Sequence, residues 1–548
     1  MSAIAPETTP LFRFQKERLQ VIEEVVDRVT RDAIQSAWDS PEEGLEYLLN
    51  EAAFLEMSRL EGSGDPRVNP EYLFWKKVAY SIGRASEEEN AELLQKIVSR
   101  YANDIAGQFR PGVYKLATTL IPHGISMLFA KQRSSHLLSL SASMNALHDR
   151  LHFTGDVEHL QRLARVGTLV FVPSHSSHMD SILIGWALHA CGLPPVMYGA
   201  GKNLFTNPMT SFFMANLGAY KVDRRLRHTI YKRVLKTYSE VLLERGYHSL
   251  FFPGGGRSRS NQVEDRLKLG LLGTAVEAYV HKVVAGDHRP VFVCPVTINY
   301  TLVLEAETMI EDKLRADGRS RYIIDNDEFS DIRKVAHFVK SVLEMDAAGT
   351  VCFCPPMDVF GHPVDEEGRS LDDHGRVLDP VRYTWVDGAP AVQREREQQY
   401  TRDLGDRVVD ALHRNNVVYP LHVVAFALFL YLQRQHPTWD LYRILRFARG
   451  DSLLRPVAEG ETERVLRSVR QLASAGRIRL SPGLESAKPS AVLDEALTYF
   501  RTYHTLPIAE AEGRQIRLVQ LNLLYYYSNR LRGYELERTL GAAPQGEA

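Results

Sequence analysis

The stretch Thr168-Leu169-Val170-Phe171-Val172-Pro173-Ser174-His175-Ser176-Ser177-His178-Met179-Asp180-Ser181-Ile182-Leu183-Ile184-Gly185-Trp186-Ala187-Leu188 passes from an unbroken apolar run, through a short polar interval, into a second apolar run. The first run reads as a buried strand and the second as the start of a helix. A strand that feeds a helix is the repeating unit of an α/β fold. Serines 174, 176 and 177 lie where capping residues belong. On one regular helix, residues five apart would diverge by about 140°. His175 is therefore expected before the helix and Asp180 in its first turn. Histidine takes up and releases a proton near neutral pH, and a nearby carboxylate fixes its tautomer and stabilises the imidazolium. The same short pattern also suits a plain helix cap, with His175 or His178 serving local backbone groups.

Outward from this stretch the texture separates into four regions. Residues 1–166 read as a helical N-terminal region, with Leu19, Ile22, Val26 and Val29 at helical spacing. Residues 167–360 alternate short apolar strands with helices, which predicts an α/β domain with a mixed, largely parallel sheet flanked by helices. Its further strands are expected around Pro195–Tyr198, Ser249–Phe252, Val291–Cys294 and Val351–Cys354. Residues 361–388 are rich in Asp, Gly and Pro and read as a surface loop. Residues 389–548 return to helical patterning, with no internal repeat visible anywhere. Val417 to Leu432 is apolar but holds Pro420 and His422 and falls short of the ~20 residues of a spanning helix; a buried core helix is expected. Val113 to Ala130 carries Lys115, Pro122 and His123 and suits an interfacial helix or an internal one.

A chain of 548 residues exceeds the usual single domain and can bury a sizeable core. Its formal net charge of -2 gives no electrostatic case for nucleic-acid binding. Cys191, Cys294, Cys352 and Cys354 lie in or beside apolar segments without the spacing of a zinc site or a disulfide framework. They read as buried thiols in a reducing compartment. The first residues lack a basic stretch followed by a long apolar core, so no secretory signal is visible.

Three further elements follow His175. Gly218-Ala219-Tyr220-Lys221-Val222-Asp223-Arg224-Arg225 is cationic at its end and leads to Arg227, His228, Lys232 and Arg233. Such cations suit an anionic substrate group, or they form a solvated helix face. Phe251-Phe252-Pro253-Gly254-Gly255-Gly256-Arg257-Ser258-Arg259-Ser260 ends a strand in a permissive turn, with Lys268 and Gly270 downstream. Glycines let backbone N–H groups approach an anion, although the P-loop pattern is absent and a tight turn with incidental arginines has the same appearance. Val293-Cys294-Pro295-Val296-Thr297-Ile298-Asn299-Tyr300 is a strand with an internal proline, which suggests an edge, a bulge or a strand start.

In this order and spacing the four elements resemble the glycerolipid acyltransferase family. The run His175-Ser176-Ser177-His178-Met179-Asp180, with Gly255-Gly256-Arg257-Ser258-Arg259, resembles its bacterial glycerol-3-phosphate 1-O-acyltransferase branch. The likeness is strong from about Thr168 to Glu305, looser through Asn415–Pro420 and into the C-terminal helices, and weak before about Gly112. It implies direct transfer of a fatty acyl group from acyl-CoA or acyl-carrier protein to the sn-1 hydroxyl of glycerol 3-phosphate, without a metal or redox cofactor. His175 is then the base and Asp180 its orienting acid. Arg224, Arg257 and Arg259 are the first choices for phosphate contacts, with Arg225 and Lys268 behind them. Gly255, Gly256 and Ser258 build the turn, and Pro295 shapes the acyl channel. Backbone N–H groups at the helix start after His175 are expected to meet the oxyanion. A lipid product favours peripheral association with the cytosolic membrane face. Many members carry a glutamate before the Gly-Gly-Arg turn; here the position is Gly254, with Glu264 and Asp265 downstream. Dihydroxyacetone phosphate or lysophosphatidate as acceptor, a serine hydrolase using Ser174, Ser176 or Ser177, and a silent lipid-binding scaffold are the competing readings.

Overall fold

Thr168 to Pro173 is buried at every position, because it lies near the middle of a sheet covered by helices on both faces. The computed structural model describes residues 9–39, 44–62, 69–119, 151–205, 208–303, 305–317, 349–501 and 504–541. The central sheet holds β1 (Leu151–Gly155), β2 (Thr168–Pro173), β3 (Met197–Gly201), β4 (Ala219–Val222), β5 (Ser249–Phe251), β6 (Val291–Tyr300), β7 (Gly349–Phe353) and β8 (Met357–Asp358). Their order is β1-β7-β6-β2-β5-β3-β4, with β8 also paired to β6. From β6 to β4 every pairing is parallel. β7 and β8 run antiparallel to β6, and β1 is parallel to β7. The fold is thus α/β with a mixed, parallel-rich sheet, and its inner strands read as continuous apolar runs because neither face meets water.

Strand alternation assigns the two faces. Leu169 and Phe171 pack with Leu160 and Leu163 of α5 (Val157–Val166) and with Leu183, Ile184 and Ala187 of α6 (Asp180–Ala190). Val170 and Val172 pack with Leu243 of α7 (Thr229–Glu244), with Leu272 and Val276 of α8 (Leu269–Val284), and with Leu404 and Val408 of α9 (Arg394–Arg414). At the β4 end of the sheet, α1 (Phe14–Asp39), α2 (Leu45–Glu61), α3 (Pro70–Ser81) and α4 (Glu87–Ile105) share one apolar cluster with Tyr220, Tyr231, Val234 and Tyr238. The N-terminal helices are therefore a layer of the same body.

The C-terminal helices surround α10 (Pro420–Gln435), which is buried over most of its length among α11 (Arg455–Ser474), α12 (Pro489–Phe500) and α13 (Leu521–Ser528). The expected core helix is present, preceded by a two-residue strand, Val417–Val418, that pairs with Arg479–Leu480. Among the described residues no helix is long and apolar enough to cross a membrane. The segment Val113 to Ala130 leaves the described residues after 119.

Three expectations change. The α/β unit begins before residue 167, since β1 and α5 already belong to it. Pro295 lies inside β6 rather than at an edge or strand start. Its carbonyl accepts from the N–H of Cys354, where the chain passes between β7 and β8, while Val296 faces β2 and accepts from Ser174. The missing proline N–H thus falls in the gap between two partner strands, where no ladder bond is lost. The 361–388 loop does contain a short repeat: Asp365 and Arg369, then Asp372 and Arg376, close successive turns by the same backbone and side-chain bonds.

Candidate active site

His175, Arg224 and the glycine turn follow the carboxyl ends of β2, β4 and β5, the end of the sheet at which open α/β folds bind ligands. His175 follows β2 by two residues, and Asp180 is the first residue of α6. Asp180 is fully buried. Its Oδ2 accepts from His175 Nδ1 at 2.8 Å and from the N–H groups of Ser176 and Ser177 at 2.7 and 2.8 Å. Its Oδ1 accepts from the Tyr300 hydroxyl at 2.6 Å. Burial, and then the charge of Asp180, hold the Tyr300 hydroxyl well above its ordinary pKa, so it stays a donor. With four donors converging, the carboxylate only accepts. Nδ1 of His175 accordingly carries a proton, and Nε2 is left as the basic nitrogen. The imidazole stacks on Phe252 of the glycine turn, with centroids 4.0 Å apart and planes 20° from parallel.

The backbone around His175 is fully engaged. The His175 N–H donates to Glu264 Oε1 at 2.8 Å, and that of His178 to Glu305 Oε1 at 3.0 Å. Met179 N–H donates to Ser177 Oγ and Asp180 N–H to the Ser177 carbonyl. With Ser176 and Ser177 bound to Asp180, each N–H from His175 to Asp180 is spent inside the protein. The oxyanion donors expected at this helix start are therefore not there. The serines are committed too: Ser174 Oγ accepts from Ile298 N–H at 3.0 Å, and Ser177 Oγ donates to Glu305 at 2.9 Å.

The glycine turn carries the cations. Gly255 has φ of +70°, a conformation that favours glycine. A Cβ there would meet Lys268 Cδ at 2.4 Å, so the lysine stem lies over the turn. A Cβ on Gly256 would meet an Arg224 guanidinium nitrogen at 3.6 Å, which brings the end of β4 to the same turn. Arg257 lies 3.4 Å from buried Glu305, and Ser258 N–H donates to the His175 carbonyl at 2.7 Å. His175, Asp180, Gly255, Gly256, Arg224, Arg257, Ser258 and Lys268 thus share one neighbourhood. Arg225 does not join them in the same way: its guanidinium is held by Asp223 through two 3.1 Å bonds. Arg259 is exposed beyond the turn. Pro295 is buried inside β6, paired in register with Val172.

Tyr300, Glu305 and Phe252 were not among the residues that the sequence singled out for chemistry, and Glu264 was named only as a carboxylate downstream of Gly254. Tyr300 is the last residue of β6, Glu305 lies just past it, and Glu264 lies between the glycine turn and α8; all reach the His175 loop only through the fold. Buried Arg530, from the C-terminal region, donates to Asn299 Oδ1. Burial lowers its pKa and the nearby charge of Glu264 opposes that shift.

Residues 155–299 match the family described as Acyltransferase. Glycerol-3-phosphate acyltransferases of Pseudomonas paraeruginosa and Pseudomonas aeruginosa are each 27% identical to the chain over 241 residues, covering 44% of it and 26% of the relative. The matching part of the chain thus spans about a quarter of the length of these curated relatives.

Proposed function

We propose that this chain, whose α/β region belongs to the glycerolipid acyltransferase family, moves a fatty acyl group from an acyl thioester to the sn-1 hydroxyl of glycerol 3-phosphate. The observation that carries this reading is the junction of a carboxylate-oriented imidazole with a cation-flanked glycine turn. His175 Nε2 takes the hydroxyl proton as the oxygen attacks the thioester carbonyl. The C–O bond forms, the C–S bond breaks, and the departing sulfur receives the proton from the imidazolium. Asp180 stabilises the imidazolium between those steps. No covalent enzyme intermediate is needed. Arg224 and Lys268, with Arg257, neutralise the phosphate and hold the acceptor with its hydroxyl toward His175. The donor is acyl-CoA or acyl-carrier protein, and the product is delivered at the cytosolic face of the membrane by peripheral attachment.

The test uses the full chain, crossing both thioester donors with glycerol 3-phosphate, dihydroxyacetone phosphate and lysophosphatidate, and identifying the products. The expected result is 1-acylglycerol 3-phosphate from the first acceptor, with His175→Ala slower by roughly 10²- to 10⁴-fold. Preference for another acceptor would reassign the substrate. Equal inactivity of parent and His175→Ala, with anionic lipid still bound, would favour a scaffold.

A further inference from the structure

Position 254 is a glycine beside the reacting histidine, yet the space its side chain would enter is filled. A Cβ on Gly254 would meet Glu264 Cγ at 3.2 Å and Glu264 Oε1 at 3.4 Å. The same Oε1 accepts the His175 N–H at 2.8 Å. We infer that Glu264 supplies, from ten residues downstream, the carboxylate that a side chain at position 254 would place beside His175, and that it acts as a positioning residue for the base.

The geometry explains why the two positions compete. Glu264 Oε1 stands within the reach of a glutamate built at 254, and its Cγ stands where that glutamate's stem would begin. A side chain at 254 therefore requires Glu264 to give way by a few tenths of an ångström, which sets the two positions against one another. Glu264 reaches its place because the chain loops back on itself: Lys268 N–H donates to the Pro253 carbonyl at 2.8 Å, bringing the end of the 254–268 segment against its start.

The contact matters because His175 hangs from three points between Phe252 and Glu264. Its N–H is held by Glu264, its carbonyl accepts from Ser258, and its ring lies on Phe252. Asp180 fixes the rotation of the imidazole, whereas Glu264 and Ser258 fix the height of its backbone above the turn that carries the cations. An error of about 1 Å in that height costs roughly 10²-fold in rate. Burial holds the Glu264 pKa above the usual glutamate value, the His175 N–H partly offsets the shift, and the Arg530 charge behind it acts in the same sense as the N–H. The role rests on the acyl-transfer reading for its rate effect, but the contact itself is independent of that reading.

The test compares Glu264→Ala, Glu264→Gln, Gly254→Glu and the exchange Gly254→Glu with Glu264→Gly, measuring kcat, KM for glycerol 3-phosphate and amide hydrogen exchange at His175. Glu264→Ala is expected to lower kcat by roughly 10²-fold with little change in KM, and to speed exchange at His175. Glu264→Gln keeps an oxygen acceptor and retains most of the activity and protection. Gly254→Glu alone collides with Glu264 and is impaired, while the exchange recovers both readouts relative to Glu264→Ala. A Glu264→Ala protein with parental kcat and parental exchange at His175 would overturn the inference, as would an exchange variant that folds yet is no better protected than Glu264→Ala. If the parent transfers no acyl group to any acceptor, the functional reading fails, and protection of His175 across the same variants still decides the role of Glu264.

Discussion

Tyr300 donates a 2.6 Å hydrogen bond to Asp180 Oδ1, the oxygen that His175 leaves unused. The carboxylate is thereby held from both ends: β6 supplies one donor, and the His175 loop supplies the other three. A hydrogen bond to a charged group contributes about 1.5–3 kcal/mol. Tyr300→Phe preserves the ring and removes that donor, so kcat is expected to fall by roughly tenfold or more while KM for the acceptor changes little. Steady-state kinetics with parental kcat would show that Asp180 does not need the second anchor.

Two adjacent arginines separate by their partners. Arg224 reaches the glycine turn, whereas Arg225 is already bound by Asp223. Arg224→Ala is expected to raise KM for glycerol 3-phosphate roughly tenfold, as loss of one charge-assisted contact predicts. Arg225→Ala leaves KM within about threefold, because its guanidinium is already held by the buried Asp223 carboxylate. Equal effects at both positions would return the phosphate site to the cationic run as a whole.

The parts of this site that were legible in sequence are local ones. His175 and Asp180 are five residues apart across a strand-to-helix junction, and the flanking apolar runs with helical periodicity place both. The partners of Asp180 and His175 were not legible, because they arrive from 120 residues away in Tyr300, and from 89 in Glu264. Register between β2 and β6 creates the first meeting, and a loop folded back to Pro253 creates the second. An apolar pattern reports that a side chain is inside, not whom it meets. Pro295 illustrates the same boundary: the rule about lost ladder bonds holds, but only the break between β7 and β8 shows that a central strand satisfies it.

Acid should destabilise the fold through His248. Its Nδ1 accepts the Leu169 N–H at 3.0 Å at the start of β2, and burial lowers its pKa from 6.5 to about 4. The neutral ring is native, so the unfolded chain binds more protons between those values. Stability from this group is present above about pH 6.5 and is lost as pH falls toward 4, by about 3 kcal/mol in all. His248→Asn keeps an acceptor near Nδ1 and does not protonate. Urea titrations at pH 7 and pH 4.5 are expected to show a smaller acid loss in the variant. Some loss persists, because burial also lowers His422 and His504. Parallel pH dependence in both proteins would rule His248 out as a contributor.

Arg530 ties the C-terminal helices to the catalytic unit, and its loss is expected to cost stability. It is 3% exposed, its guanidinium donates to Asn299 Oδ1, and its carbonyl accepts from Asn416. The neighbouring Asn529 donates to the Ser260 carbonyl in the glycine-turn segment at 3.0 Å. Glu264 is the first of the charges that favour the ionised guanidinium. Arg530→Met takes from Asn299 Oδ1 its charged donor and from Glu264 a nearby positive charge, a loss of about 1.5–3 kcal/mol. Arg530→Met should therefore lower the urea midpoint sharply. Arg467→Met, at a side chain 67% exposed and paired with Glu463, should shift stability by less than about 0.5 kcal/mol. The catalytic consequence follows from the same placement: with Glu264 no longer facing a cation, His175 loses part of its backing, and the folded fraction of Arg530→Met should show reduced kcat. A variant that is destabilised but has parental kcat per folded molecule would confine Arg530 to the scaffold and detach the C-terminal helices from the chemistry.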